Sequence, residues 1–436
     1  MNKQILIVGG GVSGAYASTK LVDNGYPGKY ITIVDKGKDP YKRQSDEVME
    51  GWLGSGLFSD GKIVMSTTQG GQLSKYCGEE KAMELMEEGM AMLRRFHPEP
   101  DKIMYSDPHK EPDFIKPYFE LRMSPVYHIG TNYLALIGKR WYDYLIEKGV
   151  NFVWETEVSD IDFEDKFAID IHGVIYYYDT LIYGTGKSGM GLTQQLINEY
   201  MLPVEGKSAQ IGIRYEAPQK YFQKILDVAY DFKLYQSHGN VSIRTFCTNS
   251  NAAYVAAERT YGDVSYNGHA MNGEQYRNDM VNFGILMEIK GIENPFEWSR
   301  DIVHKCQYIS EGRQPNTGIY YSPDRFHSLC ADGFPVSCVD LDKDGLQIFL
   351  DVFGEYAYYV LSFIADLNKV FEFGEDWGMY FPEVKYASEE VLVSYNDLSL
   401  IDYPDVHFVG DALSSRGISS AAGQGLLCAE NILKNA

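Results

Sequence analysis

Gly9, Gly11 and Gly14 stand in the order Gly-x-Gly-x-x-Gly, with Ser13 just before the last of them, and Asp35 follows Gly14 by twenty-one residues. These residue types at these spacings suit the recognition of a dinucleotide. Gly9 permits a tight turn, Gly11 lets the backbone approach a pyrophosphate, and Gly14 lets a helix pack closely on a sheet, so the phosphates sit at the helix N-terminus. A carboxylate at the spacing of Asp35 meets a ribose 2′-hydroxyl. The elements that must position them are legible. The apolar run Ile5-Leu6-Ile7-Val8 reads as the strand that delivers the glycines, a helix with small Ala17 and Ser18 follows, and Ile31-Thr32-Ile33-Val34 reads as a second strand ending at Asp35. The three form a βαβ unit.

Further residues carry chemistry without so complete a frame. Gly51 to Lys62 holds four glycines and two hydroxyls, including Ser59, and reads as a loop whose backbone can lie flat against a ligand, with Lys62 at its end. Thr180 to Tyr183 leads into Gly184-Thr185-Gly186-Lys187-Ser188-Gly189, which repeats the opening glycine spacing. No second βαβ unit closed by an acid follows, so Gly184 and Gly186 are expected at a strand end beside the first nucleotide. Val406 to Asp411 reads as a buried strand whose carboxyl end carries Gly410 and Asp411, the end at which open α/β sheets bind ligands. Gly417 and Ile418 open the last helix, which runs to Lys434 and is preceded by Arg416. His128, in a loop, is a candidate proton donor, with backbone bonding an even alternative. Arg122, Arg214 and Arg244 have the planar fork that orients a carboxylate or phosphate, and each fits a structural salt bridge equally well. Cys247 has no basic sequence neighbour to activate it, which favours an inert thiol.

A chain of 436 residues has room for roughly two or three domains of ~150 residues. Its 44% hydrophobic and 23% charged content is that of a globular enzyme. The net charge of −22 opposes sequence-independent nucleic-acid binding and attraction to anionic membranes. The opening apolar run is too short for a signal peptide, and no later stretch is read as the ~20 apolar residues of a membrane span. Cys77, Cys247, Cys306, Cys330, Cys338 and Cys428 lack metal-ligand spacing, so no metal site or disulfide framework is expected, and a cytoplasmic setting is. Helices are expected at Glu79 to Phe96, from Thr131 to about Gly149, Gln219 to Tyr230, Pro295 to Ser310 and Glu355 to Val370; Asn151 to Tyr178 reads as a small antiparallel insert. Ala209 to Glu216, Val241 to Thr248, Ala253 to Ala257 and Phe283 to Ile289 read as strands of a separate body. The expected fold is α/β, a Rossmann-like nucleotide domain with a parallel sheet, interrupted by a mixed, strand-rich substrate domain. The expected boundaries are 1–205, 206–350 for the substrate domain, and 351–436 for the returning nucleotide segment.

The opening unit, the Gly-Thr-Gly after a middle strand, the inserted sheet and the closing Gly410-Asp411 before a helix together resemble the flavoprotein fold of the glutathione reductase superfamily. That resemblance implies FAD as cofactor, with Asp411 bonding the ribityl hydroxyls and the last helix facing the flavin pyrimidine. Gly56 to Lys62, His128 to Thr131, Ile211 to Glu216, Arg244 to Cys247, Asn267 to His269 and Arg277-Asn278 are similar, in order, to sequence blocks of a largely uncharacterised group of FAD-dependent dehydrogenases. The group continues Phe-Cys with Met-Cys-Pro-Gly-Gly; here Thr248-Asn249-Ser250-Asn251-Ala252 stands in what is expected to be a loop. The resemblance implies an oxidoreductase exchanging hydride between a small molecule and flavin, with C–H or amine oxidation favoured and C=C reduction open, and oxygen or a separate acceptor reoxidising the flavin. Alternatives are an NAD(P)H-driven reductase or monooxygenase and a non-catalytic FAD-binding protein. The sequence leaves substrate and oligomeric state open.

Overall fold

The computed structural model describes residues 3–44, 47–108, 112–205, 208–260, 262–311, 318–322, 338–341, 345–385, 389–413 and 417–435. Arg416 and Cys330 fall outside them. The chain divides into two compact units: residues 1–103, 132–206 and 388–436 form the first, and 104–131 with 207–387 form the second.

In the first unit Ile5–Val8 pairs in parallel with Ile31–Val34 on one side and Thr180–Tyr183 on the other. Val406–Phe408 and Asn151–Val153 extend the sheet at its two edges, again in parallel. The opening strand is at most 3% exposed at any position, as expected where helices cover both faces of a parallel sheet. The opening helix, Val12–Asp23, packs against the closing helix, Ile418–Lys434, and the latter against Glu79–Phe96. In that last helix Ala82, Leu85, Met86, Met90 and Leu93 recur at helical spacing and are all buried. Trp141, on the Thr131–Glu147 helix, donates its indole N–H to Thr19 and stacks on Phe96 at 4.8 Å. Of the expected antiparallel insert, only Val158–Asp162, Phe167–Asp170 and Ile175–Tyr177 form one. Asn151–Val153 joins the parallel sheet instead, because Asp35 N–H reaches the Val153 carbonyl beyond Val34.

The second unit is built on an eight-stranded sheet, in the order Cys338–Leu341, Gly318–Tyr321, Gly378–Lys385, Ala209–Pro218, Met280–Ile289, Val241–Ser250, Phe232–His238, Glu120–Met123. Its central strand alternates. Ile211, Ile213, Tyr215 and Ala217 face an aromatic layer in which Tyr215 stacks on Phe283 and Trp377, while Gly212, Arg214 and Glu216 face the other way. Both sets are buried, since the Ala253–Thr260 and Asp263–Ala270 hairpin packs on strands of this sheet. The segment 351–387, expected in the returning nucleotide part, belongs to this unit: the Ala357–Phe371 helix buries Val360, Phe363 and Leu367 as it packs on the sheet, and Gly378–Lys385 pairs with the central strand. The expected Gln219–Tyr230 helix shrinks to a turn at Gln219–Tyr221 and one helical turn at Gln223–Leu226, with Phe222 and Ile225 fully buried and the Gln219 side chain held by Asn251. By length and composition Leu346–Phe371 is apolar enough to cross a membrane, a stretch the sequence reading passed over. Its apolar residues include those that pack on the sheet.

The contact between the opening and closing helices gives a direct test. A Cβ at Gly425 would lie 2.2 Å from the Ser13 carbonyl oxygen, whereas one at Gly191, in the Met190–Glu199 helix, meets nothing within 4 Å. Gly425→Ala is expected to lower the free energy of unfolding by about 1–3 kcal/mol. Gly191→Ala should raise it by about 0.5 kcal/mol, both read from urea denaturation.

Candidate functional site

The glycine-turn end of the first unit is assembled by close backbone approaches. Gly9 has φ +104°, and a Cβ there would come within 2.3 Å of the Gly184 carbonyl oxygen; a Cβ on Gly14 would come within 2.5 Å of the Gly9 oxygen. At Gly11 the nearest atom to such a Cβ is 3.9 Å away, so space lies open over the turn at the helix N-terminus. The opening helix has no acidic residue in its first turn and no side-chain cap, which leaves that end suited to an anion. Ser13 donates to the Ala421 carbonyl at 2.8 Å, and Gly410 N–H donates to the buried Gln424 side chain at 2.7 Å. These bonds bring the strand end bearing Gly410 and Asp411 to the opening helix. The Gln424 Nε2 and Ser420 Oγ atoms are buried without a protein partner. Open space over Gly11, an uncapped helix end and partnerless polar atoms along the closing helix fit an extended phosphate-bearing ligand.

Asp35 has a different first duty from the one its spacing predicts. Its carboxylate accepts the backbone N–H groups of Gly10, Gly37 and Gly51, each at 2.8 Å. A carboxylate offers about four lone-pair sites, so one remains for a ribose hydroxyl. Arg43, which the sequence did not single out, supports the same region: its guanidinium donates to the carbonyls of Glu47, Val48, Trp52 and Gly54, and burial lowers its pKa to about 10. Through Leu53, with φ +62° and its N–H on the Gly10 carbonyl at 2.7 Å, the Gly51 loop is laid against the phosphate turn. Trp154 covers Gly10, its ring 3.3 Å from where a Cβ would stand. Ser59 accepts from Gly61 N–H at 3.1 Å within the loop, and Lys62 is buried in a strand with Asp60 at 3.1 Å. Gly186 has φ +63°, and Gly417 has φ +93° as the cap of the closing helix, with Ile418 half-buried behind it.

His128, Arg214 and Arg244 lie in the second unit, on three different strands. His128 sits in a strand, Val126–His128, not a loop; it is buried and faces the Tyr230 ring at 5.1 Å. Arg214 is fully enclosed. Its NH1 donates to the Cys247 carbonyl at 2.9 Å, and its NH2 donates to Asn267 at 2.8 Å and Glu383 at 2.9 Å. A substrate cannot reach so enclosed a side chain, so its role is to hold the strand irregularity at Cys247, where φ is +55°. The expected loop at Thr248 is the continuation of that strand, and Thr248, Asn249 and Ser250 are buried. Arg244, by contrast, keeps 26% of its side chain exposed.

Glu383 was missed by the sequence reading. Burial pushes its carboxyl up to about 7, and Glu258 adds to this; Arg214 and Lys385 pull the other way without cancelling the desolvation. Its Oε2 is buried with no partner. The available signal was Glu383 and Lys385 alternating with apolar residues in the run from Met379.

Among comparisons with known proteins, no family model matches the chain, and no curated protein matches it. Solved structures resemble it at low similarity. The halogenase PltM is 10% identical with a TM-score of 0.46, over 100% of this chain and 70% of that one. A flavoprotein/dehydrogenase from Cytophaga hutchinsonii is 14% identical with a TM-score of 0.44, over 99% and 79%. CtdE, solved in complex with FAD, is 9% identical with a TM-score of 0.41, over 98% and 82%. Likeness at this level assigns no function.

Two outcomes follow from the site. Asp35→Ala leaves three backbone N–H groups without their acceptor and should cost roughly 2–3 kcal/mol of stability, measured by urea denaturation without added nucleotide. For Glu383, the folded-state pKa lies above its ordinary 4.5, so the folded chain binds the proton more tightly. The resulting stability is full below about pH 4.5 and is lost as pH rises through about 7. Denaturation across that range should show the decline in the native protein and a flatter profile in Glu383→Gln.

Proposed function

We propose that the chain is an FAD-dependent oxidoreductase that exchanges a hydride with a small molecule. The observation that carries the reading is the convergence, in one unit, of an open turn at Gly11, an uncapped helix N-terminus, and Asp411 just past the carboxyl end of a neighbouring parallel strand. Gly11 and the first turn of the opening helix would hold the pyrophosphate, Asp411 the ribityl hydroxyls, and the remaining acceptor position of Asp35 the ribose. Gly9, Ser13 and Gly14 set the turn; the Gly184 carbonyl closes on it at Gly9, Gly410 leaves room for the Ser13 side chain, and Gly186 leaves open space within 4 Å. The N-terminus of the closing helix at Gly417 and Ile418 presents partial positive charge to a ligand. Ser59 and Lys62 act by shaping the loop that follows Asp35. The bound flavin would supply the hydride chemistry, and the protein binds, orients and desolvates the substrate.

Direct oxidation of the substrate, as dehydrogenase or oxidase with oxygen or another acceptor, is favoured over NAD(P)H-driven chemistry. The second glycine series leads into the Met190–Glu199 helix and then Val204–Glu205, which pairs with Glu390–Val391 rather than entering the parallel sheet. It therefore does not build a second nucleotide unit. Free thiols at Cys77, Cys247, Cys306 and Cys428 support a reduced, cytoplasmic setting.

The purified protein should be yellow and release FAD on denaturation, and Asp411→Ala should weaken FAD retention about tenfold to a hundredfold by removing a charge-assisted hydrogen bond. Under anaerobic conditions, NADH and NADPH should leave the visible flavin band intact. A colourless protein that takes up no FAD would overturn the proposal, and rapid bleaching would overturn the choice of electron source.

A further inference from the structure

The closing helix carries Gln424 between two glycines, and both are sites of close approach. A Cβ at Gly423 would lie 2.2 Å from the Leu73 side chain, and one at Gly425 would lie 2.2 Å from the Ser13 carbonyl oxygen. Neighbours therefore press on the helix on either side of Gln424, which is 0% exposed although it is polar. An apolar side chain of the same length would be enclosed there without the desolvation cost of an amide, so the amide must return something specific.

What it returns is one bond. Just past the Val406–Phe408 strand, Val409 N–H donates to the Tyr183 carbonyl of the neighbouring strand at 2.9 Å. Gly410 N–H is the next donor along the chain, and Gln424 accepts it at 2.7 Å. A backbone N–H can only donate, so the amide oxygen is the atom that faces Gly410. The amide nitrogen is buried without a partner, so the bond to Gly410 is the one hydrogen bond this side chain makes among the described residues. Gly410 has φ +67°, a left-handed conformation in which the chain turns out of the strand and into Asp411. A Cβ at Gly410 would lie 2.8 Å from Ser13 Oγ, so the turn is also fitted closely to the opening helix.

Resting on the FAD reading above, we infer that Gln424 is a positioning residue for the cofactor: by holding Gly410 N–H it fixes the direction in which Asp411 leaves the sheet, and with it the contact of Asp411 with the ribityl hydroxyls. The effect runs through Gly410, because the amide oxygen is already engaged there. The other end of the site is held by different bonds, those from Gly10 and Gly51 to Asp35. Loss of the Gln424 oxygen therefore separates the two ends: the grip on the ribityl chain falls, and the grip on the adenosine and pyrophosphate stays.

The test is calorimetric titration of the flavin-free full chain with FAD and with ADP, which shares the pyrophosphate and the adenosine ribose but has no ribityl chain. Gln424→Met, close in length and without the acceptor oxygen, should weaken FAD binding about tenfold and leave ADP affinity within about twofold. In the Asp411→Ala background the same substitution should cost no more than about twofold further, since residues that act through one contact are not additive. Should Gln424→Met not fold, Gln424→Asn, whose amide stops one methylene short of Gly410, makes the same comparisons. Equal losses of FAD and ADP would mark a merely structural role and overturn the inference, as would an unchanged FAD affinity or a full tenfold loss on top of Asp411→Ala. The native protein keeps the two readings apart: if it takes up no FAD, the cofactor reading fails and this inference with it, whereas tight FAD binding that is indifferent to Gln424 contradicts this inference alone.

Discussion

The Asp35 carboxylate is the tie on which the glycine-turn end of the first unit depends. It stands at the end of the second parallel strand and collects N–H groups from the opening turn at Gly10, from its own exit at Gly37, and from the glycine loop at Gly51. Three segments distant in sequence are thereby fixed relative to one another by one side chain. Ionised carboxylates accept such bonds about twice as strongly as neutral acceptors. Arg43 completes the arrangement from the other side, because its guanidinium satisfies carbonyl groups that the turning loop would otherwise leave bare. The turn at Gly11 is therefore flanked by contacts made within the protein itself.

In the second unit the dominant constraint is different. A two-sided sheet buries a polar face, and the cost of that burial is offset by a network running through Arg214, Glu383, Asn267 and Glu258. Removing one member leaves its partner charged and enclosed, so this network is expected to act as a unit. It also shapes the neighbouring surface: the Cys247 carbonyl held by Arg214 sets the irregularity that ends the run carrying Arg244 and Phe246. Arg214 and Arg244, indistinguishable as sequence candidates, thus separate into a fully buried residue and a half-exposed one.

Much of the first unit was legible because its signals are local. The apolar strand, the glycine spacing and the helix of Glu79–Phe96 each sit within one short window, and their periodicity matched the elements formed. The roles of Asp35 and Glu383 were not legible, since each depends on backbone or charge brought in from far along the chain. The Gln219–Tyr230 segment failed for a related reason: its apolar residues have helical spacing, but burial of Phe222 and Ile225 and the Asn251 contact break the helix. The strand Gly378–Lys385 was passed over because Glu383 faces a buried network and blurs the alternation expected of a half-exposed strand.

The first unit is proposed to grip a whole dinucleotide, from the turn at Gly11 to the strand end at Asp411. The most direct measurement is a calorimetric comparison of FAD, FMN and riboflavin binding to the flavin-free protein. Tight binding of FAD is expected, with a loss of at least a hundredfold for FMN and riboflavin, which lack the pyrophosphate proposed to sit at the helix N-terminus. FMN binding as tightly as FAD would contradict it.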